Sequence, residues 1–366
     1  MNNEDAKTSG RKALRKRRYS PPTEDAFSNT QIDLFRGFLA NTKDERDALS
    51  NAVELWDSIP RYSVSRQRMN KMRTADGLLK PLEVPFAFGG QEFVAQIQSA
   101  SIKSDGEWIS YYPSAREELI EHALRKLAIE QQAGFFDRPD YRSGVRFSLW
   151  RLRQELSEQG HAIRYDELIE GLDILSSSSI RIITKRNELL SEVTAHFATS
   201  PFLSALAGVR RANYDADRSL RWTAQFHPMV TYSIDQITYR QFNYQRLMKC
   251  SSQLARWLLC QLVLKYTQAA LTNQFEMRFS TVKRDSALLN GYDRQRAAVA
   301  ALDSAWTELK EQGTLLSIKK QEHRGPRNKL EDVLYVLTPS REFASEQKAA
   351  NRRRKDARQS PSHQVE

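Results

Sequence analysis

Long apolar runs are missing from this 366-residue sequence, and its mean hydropathy is −0.63. No uncharged stretch is long enough for a membrane span, so a soluble chain is expected. Cysteine is scarce. Cys250 and Cys260, the two present, fall inside one apolar helical pattern and supply neither a disulfide framework nor a zinc-ligand quartet. The six histidines, at 122, 161, 196, 227, 323 and 363, are never two apart, which removes the His-x-His metal pair of a rolling-circle nuclease. None of the 14 glycines opens G-x-x-x-x-G-K-[ST], which removes a P-loop ATPase. His323 reads as a surface residue and Cys250 as a core residue. No catalytic residue, metal or cofactor is expected. The polar, basic first residues lack an apolar signal region, so the expected location is cytoplasmic.

What is abundant is positive charge, 56 Lys and Arg against 45 Asp and Glu. It is unevenly spread: residues 216–338 carry 18 basic against 11 acidic side chains, while residues 31–215 carry 24 against 26. Affinity for a polyanion is therefore expected in the C-terminal half and at the two ends. The ends hold Arg11-Lys12, Arg15-Lys16-Arg17-Arg18 and Arg352-Arg353-Arg354-Lys355 among polar residues. They read as disordered basic arms, 1–30 and 339–366, or as plain solubilising tails.

At roughly 100 to 200 residues per domain the length predicts two domains. Pro21–Thr30 has linker composition, and residues 31–80 continue it as a charged segment with a basic stretch at Arg61, Arg66, Arg68, Lys71 and Arg73. From about Leu82 the pattern is that of a packed domain. Phe93–Ile97 alternates as a strand, and residues 116–132 place Leu119, Ile120, Ala123, Leu124 and Leu127 on one helical face. Val145–Leu149 predicts a strand entering a helix capped by Ser148. Gly160 then turns the chain into a helix over Arg164–Leu175, and strands follow at Ile180–Ile183 and Val193–Phe197. The polar break at Arg210–Arg218 reads as the domain boundary.

The same order then recurs. Leu254, Ala255, Leu258, Leu259, Leu262 and Val263 form a helix face, Met277–Ser280 repeats the strand and cap, and Asn290-Gly291 turns the chain. A long helix over Asp293–Gln312 and strands at Leu315–Lys319 and Val333–Leu337 follow. Arg146-Phe147-Ser148 matches Arg278-Phe279-Ser280 at an offset of 132, Gly160 matches Gly291 at 131, and Leu172-Asp173 matches Leu302-Asp303 at 130. Three ordered matches at nearly one offset predict a duplicated domain. Helix, strand, helix, turn, helix, hairpin is the order of a winged helix. The predicted fold is α+β, mostly α: tandem winged helices at 81–215 and 216–338 with disordered arms.

In a winged helix the last helix before the hairpin enters the major groove. In the second unit its core stripe is Val299, Leu302, Trp306 and Leu309. The opposite face carries Ala297, Ala300, Ala301 and Ser304, with Arg294 and Arg296 at its margins. Small residues let a helix sit deep, and arginines beside them pair with guanine edges or phosphates. Lys319, Lys320, Arg324, Arg327 and Lys329 make the hairpin a basic wing. These residues form the candidate DNA-binding set, against the plainer reading of an Ala-rich helix former. In the first unit the corresponding helix has Tyr165, Leu168, Leu172 and Leu175 as its core side and Glu167, Glu170 and Asp173 outward. Outward carboxylates repel phosphate, so that unit is expected to dimerise or support, with at most peripheral DNA contacts; phosphate contact through Arg146, Arg151 or Arg153 is the lesser alternative.

Gln31-Ile32-Asp33-Leu34-Phe35 follows the first linker. Its pattern resembles the pentapeptide by which bacterial polymerases bind the apolar groove of the sliding clamp, with Leu34 and Phe35 as buried anchors and Gln31 supplying an amide. The competing reading makes Ile32, Leu34 and Phe35 the start of a core helix.

Taken together, the RFS repeat, the tandem winged-helix order, the basic second unit and the pentapeptide resemble the plasmid replication initiators, the Rep group of TrfA-type and RepA-type proteins that bind repeated origin sequences (iterons). The resemblance spans residues 85–340 plus the pentapeptide. It implies iteron binding chiefly through the second winged helix and dimerisation through the first, with monomers initiating. It also implies opening of adjacent A·T-rich DNA, contact with the resulting single strand, and recruitment of the host's replicative helicase or loader and sliding clamp. The acidic first-unit helix departs from a pattern in which both units read bases, and residues 41–80 match no part of it. A winged-helix transcriptional repressor binding operator DNA is the alternative, and the pentapeptide separates the two because a simple repressor has no use for a clamp.

Overall fold

The computed structural model describes residues 49–104, 106–129, 134–137, 140, 142–184, 199–208, 221–235, 239–267 and 273–359. It is a mixed α/β architecture in which small antiparallel sheets alternate with helices in a winged-helix-like order. Gln31–Phe35 and the N-terminal arm lie outside the described residues. No described helix is long and apolar enough to cross a membrane.

Strand β1 (Leu49–Val53) is followed by a short turn of helix at Trp56–Ser58 and by helix α1 (Arg66–Met72), which Ser65 caps. Strands β2 (Leu82–Phe88) and β3 (Gln91–Gln98) pair from Leu82↔Ile97 to Phe88↔Gln91. Their tip is Gly89-Gly90 at φ 58° and 80°, the left-handed pair a two-residue hairpin needs and glycine adopts without steric cost. The alternation of β3 sends Phe93, Ala95 and Ile97 into the core, as expected. A second hairpin joins β4 (Ala100–Ser104) and β5 (Glu107–Tyr111). Helix α2 (Ala115–Ala128) then buries Ile120, Ala123, Leu124 and Leu127, and Glu117 closes a capping box on Ser114.

Next come β6 (Gly134–Asp137), β7 (Arg142–Phe147), α3 (Leu149–Glu158) and α4 (Tyr165–Ser177). Ser148 caps α3 as expected, accepting from the Arg151 amide at 3.1 Å. Strand β8 (Ser179–Thr184) departs from expectation. Val193–Phe197 lies outside the described residues, and β8 pairs with β3 and with β9 (Ser200–Pro201), completing the sheet β2-β3-β8-β9. The hairpin that returns onto β7 is built from β10 (Leu203–Ala207) and β11 (Trp222–Phe226), with Trp222 opposite Phe147. Trp222, Ala224 and Phe226 alternate inward.

This corrects the expected boundary. β11 and α5 (Pro228–Asp235) share the first hydrophobic cluster with α2, α3 and α4, so the division falls later than residues 210–218. A second cluster takes Phe242 from β12 (Tyr239–Asn243) and Leu247 from α6 (Tyr244–Met248), whose Tyr239, Tyr244 and Met248 belong to the first, and continues through α7 (Gln253–Lys265). It takes in β13 (Phe275–Arg278), α8 (Phe279–Ser286), α9 (Gln295–Glu311), β14 (Leu315–Arg324) and β15 (Leu330–Pro339), and ends at Phe343. The sheet order β13-β15-β14 parallels β7-β11-β10: in each, the strand before the paired helices bonds to the second hairpin strand. Ser280 is a second correction. Its amide and hydroxyl donate to Asp332 at 3.0 and 2.7 Å, so the start of α8 is held by a carboxylate from β15 and not by its own serine.

The expected disordered tail is, from Arg341 to Gln359, helix α10. Phe343, Ala344, Gln347 and Ala350 are buried along it. Arg246 binds Glu342 and Glu346 at 3.0 and 3.1 Å, Arg353 donates to Gln241 at 3.0 Å, and Arg354 pairs with Glu54. The basic run Arg352–Lys355 therefore begins on an amphipathic helix that β12 anchors.

The segment expected as linker is core from Val53 to Val64. β1 pairs with β12, and Trp56, Ile59, Tyr62 and Val64 are buried. Beside them lies an ionic cluster. Arg61 spans Asp57 at 2.8 Å and Glu121 at 3.0 Å, and Arg125 grips both Asp57 oxygens at 2.9 and 2.8 Å. The indole of Trp56 and the phenol of Tyr62 also donate to Glu121. One turn earlier on α2, Glu118 receives Arg256 of α7 at 3.1 Å. Burial raises the Glu121 carboxyl, but Arg61 and Arg125 outweigh it and hold it at about 2. Asp57 is lowered in the same way. Burial first, with Arg125 and Arg61 beside His122 and Arg61 beside His227 acting in the same direction, drives both imidazoles down to about 3, and His227 stacks on Trp56 with ring centres 4.4 Å apart.

These shifts share one sign. The unfolded chain takes protons on its histidines below about 6.5 and on its carboxyls below about 4.5, whereas the fold refuses them until about 3 and about 2. Stability is complete above pH 6.5, declines as His122 and His227 protonate in the unfolded chain, and falls more steeply below 4.5. Urea midpoints should drop between pH 7.5 and 5, and a flat profile across that range would mean that both imidazoles ionise within the fold. Removing one charge from the cluster, as in Arg125→Met, should cost about 3 to 5 kcal/mol because Asp57 and Glu121 stay buried with too few partners.

Candidate nucleic-acid interface

Helix α9 has two unlike sides. Ala298, Val299, Leu302, Ala305, Trp306 and Leu309 are buried, which is the expected stripe with two alanines added. Arg294, Arg296, Ala297, Ala300 and Ser304 are exposed. Ala301 is not: it packs partly on the second cluster, so the outward face is narrower than the sequence indicated. Ser304 turns its hydroxyl back to the Ala300 carbonyl at 3.0 Å, leaving a helix surface with little side-chain bulk.

Strands β14 and β15 pair from Leu315↔Pro339 to Arg324↔Leu330 and project beyond the core. At the tip the Gly325 amide donates to the Lys329 carbonyl at 2.9 Å, and Arg327 and Asn328 are left-handed at φ 59° and 57°. Asparagine tolerates that conformation, while arginine meets a penalty of about 1 to 2 kcal/mol. All five wing cations are exposed, but they do not share one surface. Side chains alternate along a strand. Lys320 and Glu322 therefore face α9, Lys319 and His323 face away, and Arg324, beyond a register irregularity after His323, lines the same groove as Lys320.

Between helix and wing lies an open groove of about 630 Å³, bounded by Arg294, Arg296, Ala300, Lys320, Arg324 and Lys329. Two carboxylates also line it, Asp303 and Glu322. Lys320 binds Asp303 at 2.7 Å, and Arg324 binds Glu322 at 2.5 Å and the Asn328 carbonyl at 3.1 Å. Two of the expected phosphate ligands thus begin from internal pairs, whereas Lys319, Arg327 and Lys329 have no side-chain ion pair among the described residues. Neither acid belongs to the expected DNA-binding set. The signal was present: Asp303 lies 60° from Ala300 on the helix, and Glu322 sits two residues from Lys320 on the strand.

Helix α4 of the first unit has different surroundings. Leu168, Leu172 and Leu175 are buried as expected, and Ile174, some 120° from Leu168 around the helix, is buried too. Strand β4 packs on this helix. Glu170 pairs with Arg116 at 2.9 Å, and Glu167 accepts from the Arg164 amide at 3.1 Å. Elsewhere, Cys250 has its thiol pushed up to about 12 by burial and then by Glu308, so it holds its proton at neutral pH. Among the described residues no three His, Cys, Asp or Glu side chains are grouped to hold a metal ion.

No family model matches the chain, and no curated protein resembles it. Solved structures similar to it include selenomethionine derivatives of domains 2 and 3 of RctB, with a TM-score of 0.46 and 12% identity over 74% of this chain and 98% of that one. A second structure of RctB domains 2–3 gives 0.45 and 10% over 76% and 97%. The Pi initiator protein in complex with iteron DNA gives 0.40 and 11% over 81% and 99%. Likenesses this distant fix neither the family nor the role of any residue.

A cationic wing beside a bare helix face should make duplex affinity strongly salt-dependent. Each neutralised phosphate adds about 0.9 to the log–log slope. Replacing Lys319, Lys320, Arg324 and Arg327 together should flatten the plot by more than one unit, and an identical slope would place the phosphate contacts elsewhere.

Proposed function

We propose that the chain is a DNA-binding replication initiator of two tandem winged-helix units, in which the second reads repeated origin sequences. The observation that carries this reading is the groove between α9 and the wing: an arginine-flanked helix face of small side chains, backed by a rigid core and walled by a basic hairpin. Such a face fits the major groove, where Ala297 and Ala300 meet thymine methyls and Arg294 or Arg296 meets guanine. The parallel strand orders β7-β11-β10 and β13-β15-β14 support the tandem assignment. The first unit is read as the supporting and self-associating one, since its α4 is covered by β4 and its acids are engaged. Origin opening and recruitment of the host helicase or loader rest on the family resemblance alone.

Arg294→Ala or Arg296→Ala should cost about 1 to 3 kcal/mol on the specific site and less on random duplex. A specificity ratio left unchanged by both would remove α9 as the reader.

Clamp binding is assigned to Gln31–Phe35, which precedes every described element. Leu34→Ala with Phe35→Ala should abolish capture by the sliding clamp and leave duplex binding and the melting temperature intact. If the melting temperature falls and both activities are lost together, the segment is core and not a clamp ligand.

A further inference from the structure

Asp303 is an oddity in a groove otherwise suited to phosphate. It sits on the helix wall, three residues after Ala300, with its side chain 38% exposed and therefore open to a bound molecule. Both of its oxygens are held. Oδ1 accepts from the Tyr335 hydroxyl at 2.7 Å, and Oδ2 pairs with Lys320 Nζ at 2.7 Å. Tyr335 is itself fixed: its ring is buried beside Trp306, with centres 6.0 Å apart. Burial and then Asp303 raise its phenol far above the ordinary value, so the hydroxyl remains a donor. The carboxylate is thereby locked in one rotamer from below and from the side. Its oxygens retain acceptor positions, since an ionised carboxylate offers about four and these two contacts use two.

A fixed acceptor is selective in the major groove. Guanine presents N7 and O6 and thymine presents O4, all acceptors, while the exocyclic amines of cytosine and adenine are the donors. A carboxylate at this wall is repelled by phosphate and by acceptor edges, and it gains only where an amine is presented. Lys320 offsets its charge, so the groove stays cationic while the acceptor stays in place. We propose that Asp303 is a specificity-determining residue that demands a base with an exocyclic amine, cytosine foremost, at one position of the bound site, and that Tyr335 and Lys320 are its positioning residues. The proposal rests on the reading of α9 as the duplex reader. It adds a selecting element opposite in charge to the arginines: they favour the acceptor edge of guanine, and Asp303 demands a donor edge.

The test uses the full chain and a pool of randomised duplexes, from which the wild type, Asp303→Asn, Asp303→Ala and Tyr335→Phe each select their preferred sites. Affinity for one scrambled duplex is measured alongside. Wild type should show a position restricted to an amine-bearing base. Both Asp303 variants should lose that restriction, with the specific-to-scrambled ratio falling about ten- to a hundred-fold, and Asp303→Ala should bind the scrambled duplex more tightly than wild type. Tyr335→Phe should relax the same position less. Asp303→Asn keeps the shape and an oxygen for Tyr335, so it decides the matter should Asp303→Ala loosen the wing in a thermal melt. Base preferences in a folded Asp303→Asn protein that equal those of wild type at every position would overturn the proposal and leave Asp303 as a wing anchor. A wild type that selects no sequence from the pool would instead refute the duplex-reader assignment on which it stands.

Discussion

Four charged side chains, Asp57, Arg61, Glu121 and Arg125, are buried together where the 53–64 segment meets α2. Moving any one of them out of water costs several kcal/mol, and the cost is recovered only when every oxygen and guanidinium finds its partner. The cluster meets that condition with Trp56, Tyr62 and the Val53 amide as additional donors. Such a set tolerates one geometry. The segment before the first sheet must lie against α2, and α2 must present Glu121 and Arg125 one turn apart on the same face. Glu118 on the preceding turn then points at Arg256, so the helix that satisfies the buried cluster also fixes α7 of the second core. A second link, from the Ala87 amide to Asp285 at 3.2 Å, ties β2 to α8. The α9 face that we propose reads DNA is built upon that second core.

Periodicity alone located much of this. The stripes of α2, α7 and α9, the alternation of β3 and the Ser148 cap follow from residue spacing, because the spacing records the apolar positions each element buries, even where, as in α2 and α7, polar and charged residues are buried beside them. The 53–64 segment was illegible for the converse reason. Asp57 and Arg61 look solvated in sequence, and the partners that bury them, Glu121 and Arg125, are some 60 residues away. The first hairpin was missed because β8 has the composition of a wing strand but pairs with β3, while the true hairpin is split by the polar stretch that resembled a boundary. The α10 helix was missed because its apolar positions, Phe343, Ala344 and Ala350, are few and small beside its basic run.

Charge on a single helix face is a weaker signal than the charge of the groove around it. Asp173 on α4 and Asp303 on α9 occupy equivalent places in the internal repeat, so an outward carboxylate by itself does not separate a reader from a support. What separates them is the surroundings. Around α9 the groove holds Arg294, Arg296, Lys320, Arg324 and Lys329 against Asp303 and Glu322, so the field at its mouth remains positive after the internal pairs are formed. Around α4 the acids Glu170 and Glu167 meet Arg116 and Arg164, and β4 lies across the helix. The charge excess of residues 216–338 therefore acts at the level of a groove shared by helix and hairpin. A strand 17 residues downstream supplies the cation that lets an acid remain on the helix. Sequence distance conceals that pairing, and the β14–β15 register, which carries Lys320 opposite Tyr335, creates it by bringing both partners of Asp303 to one point.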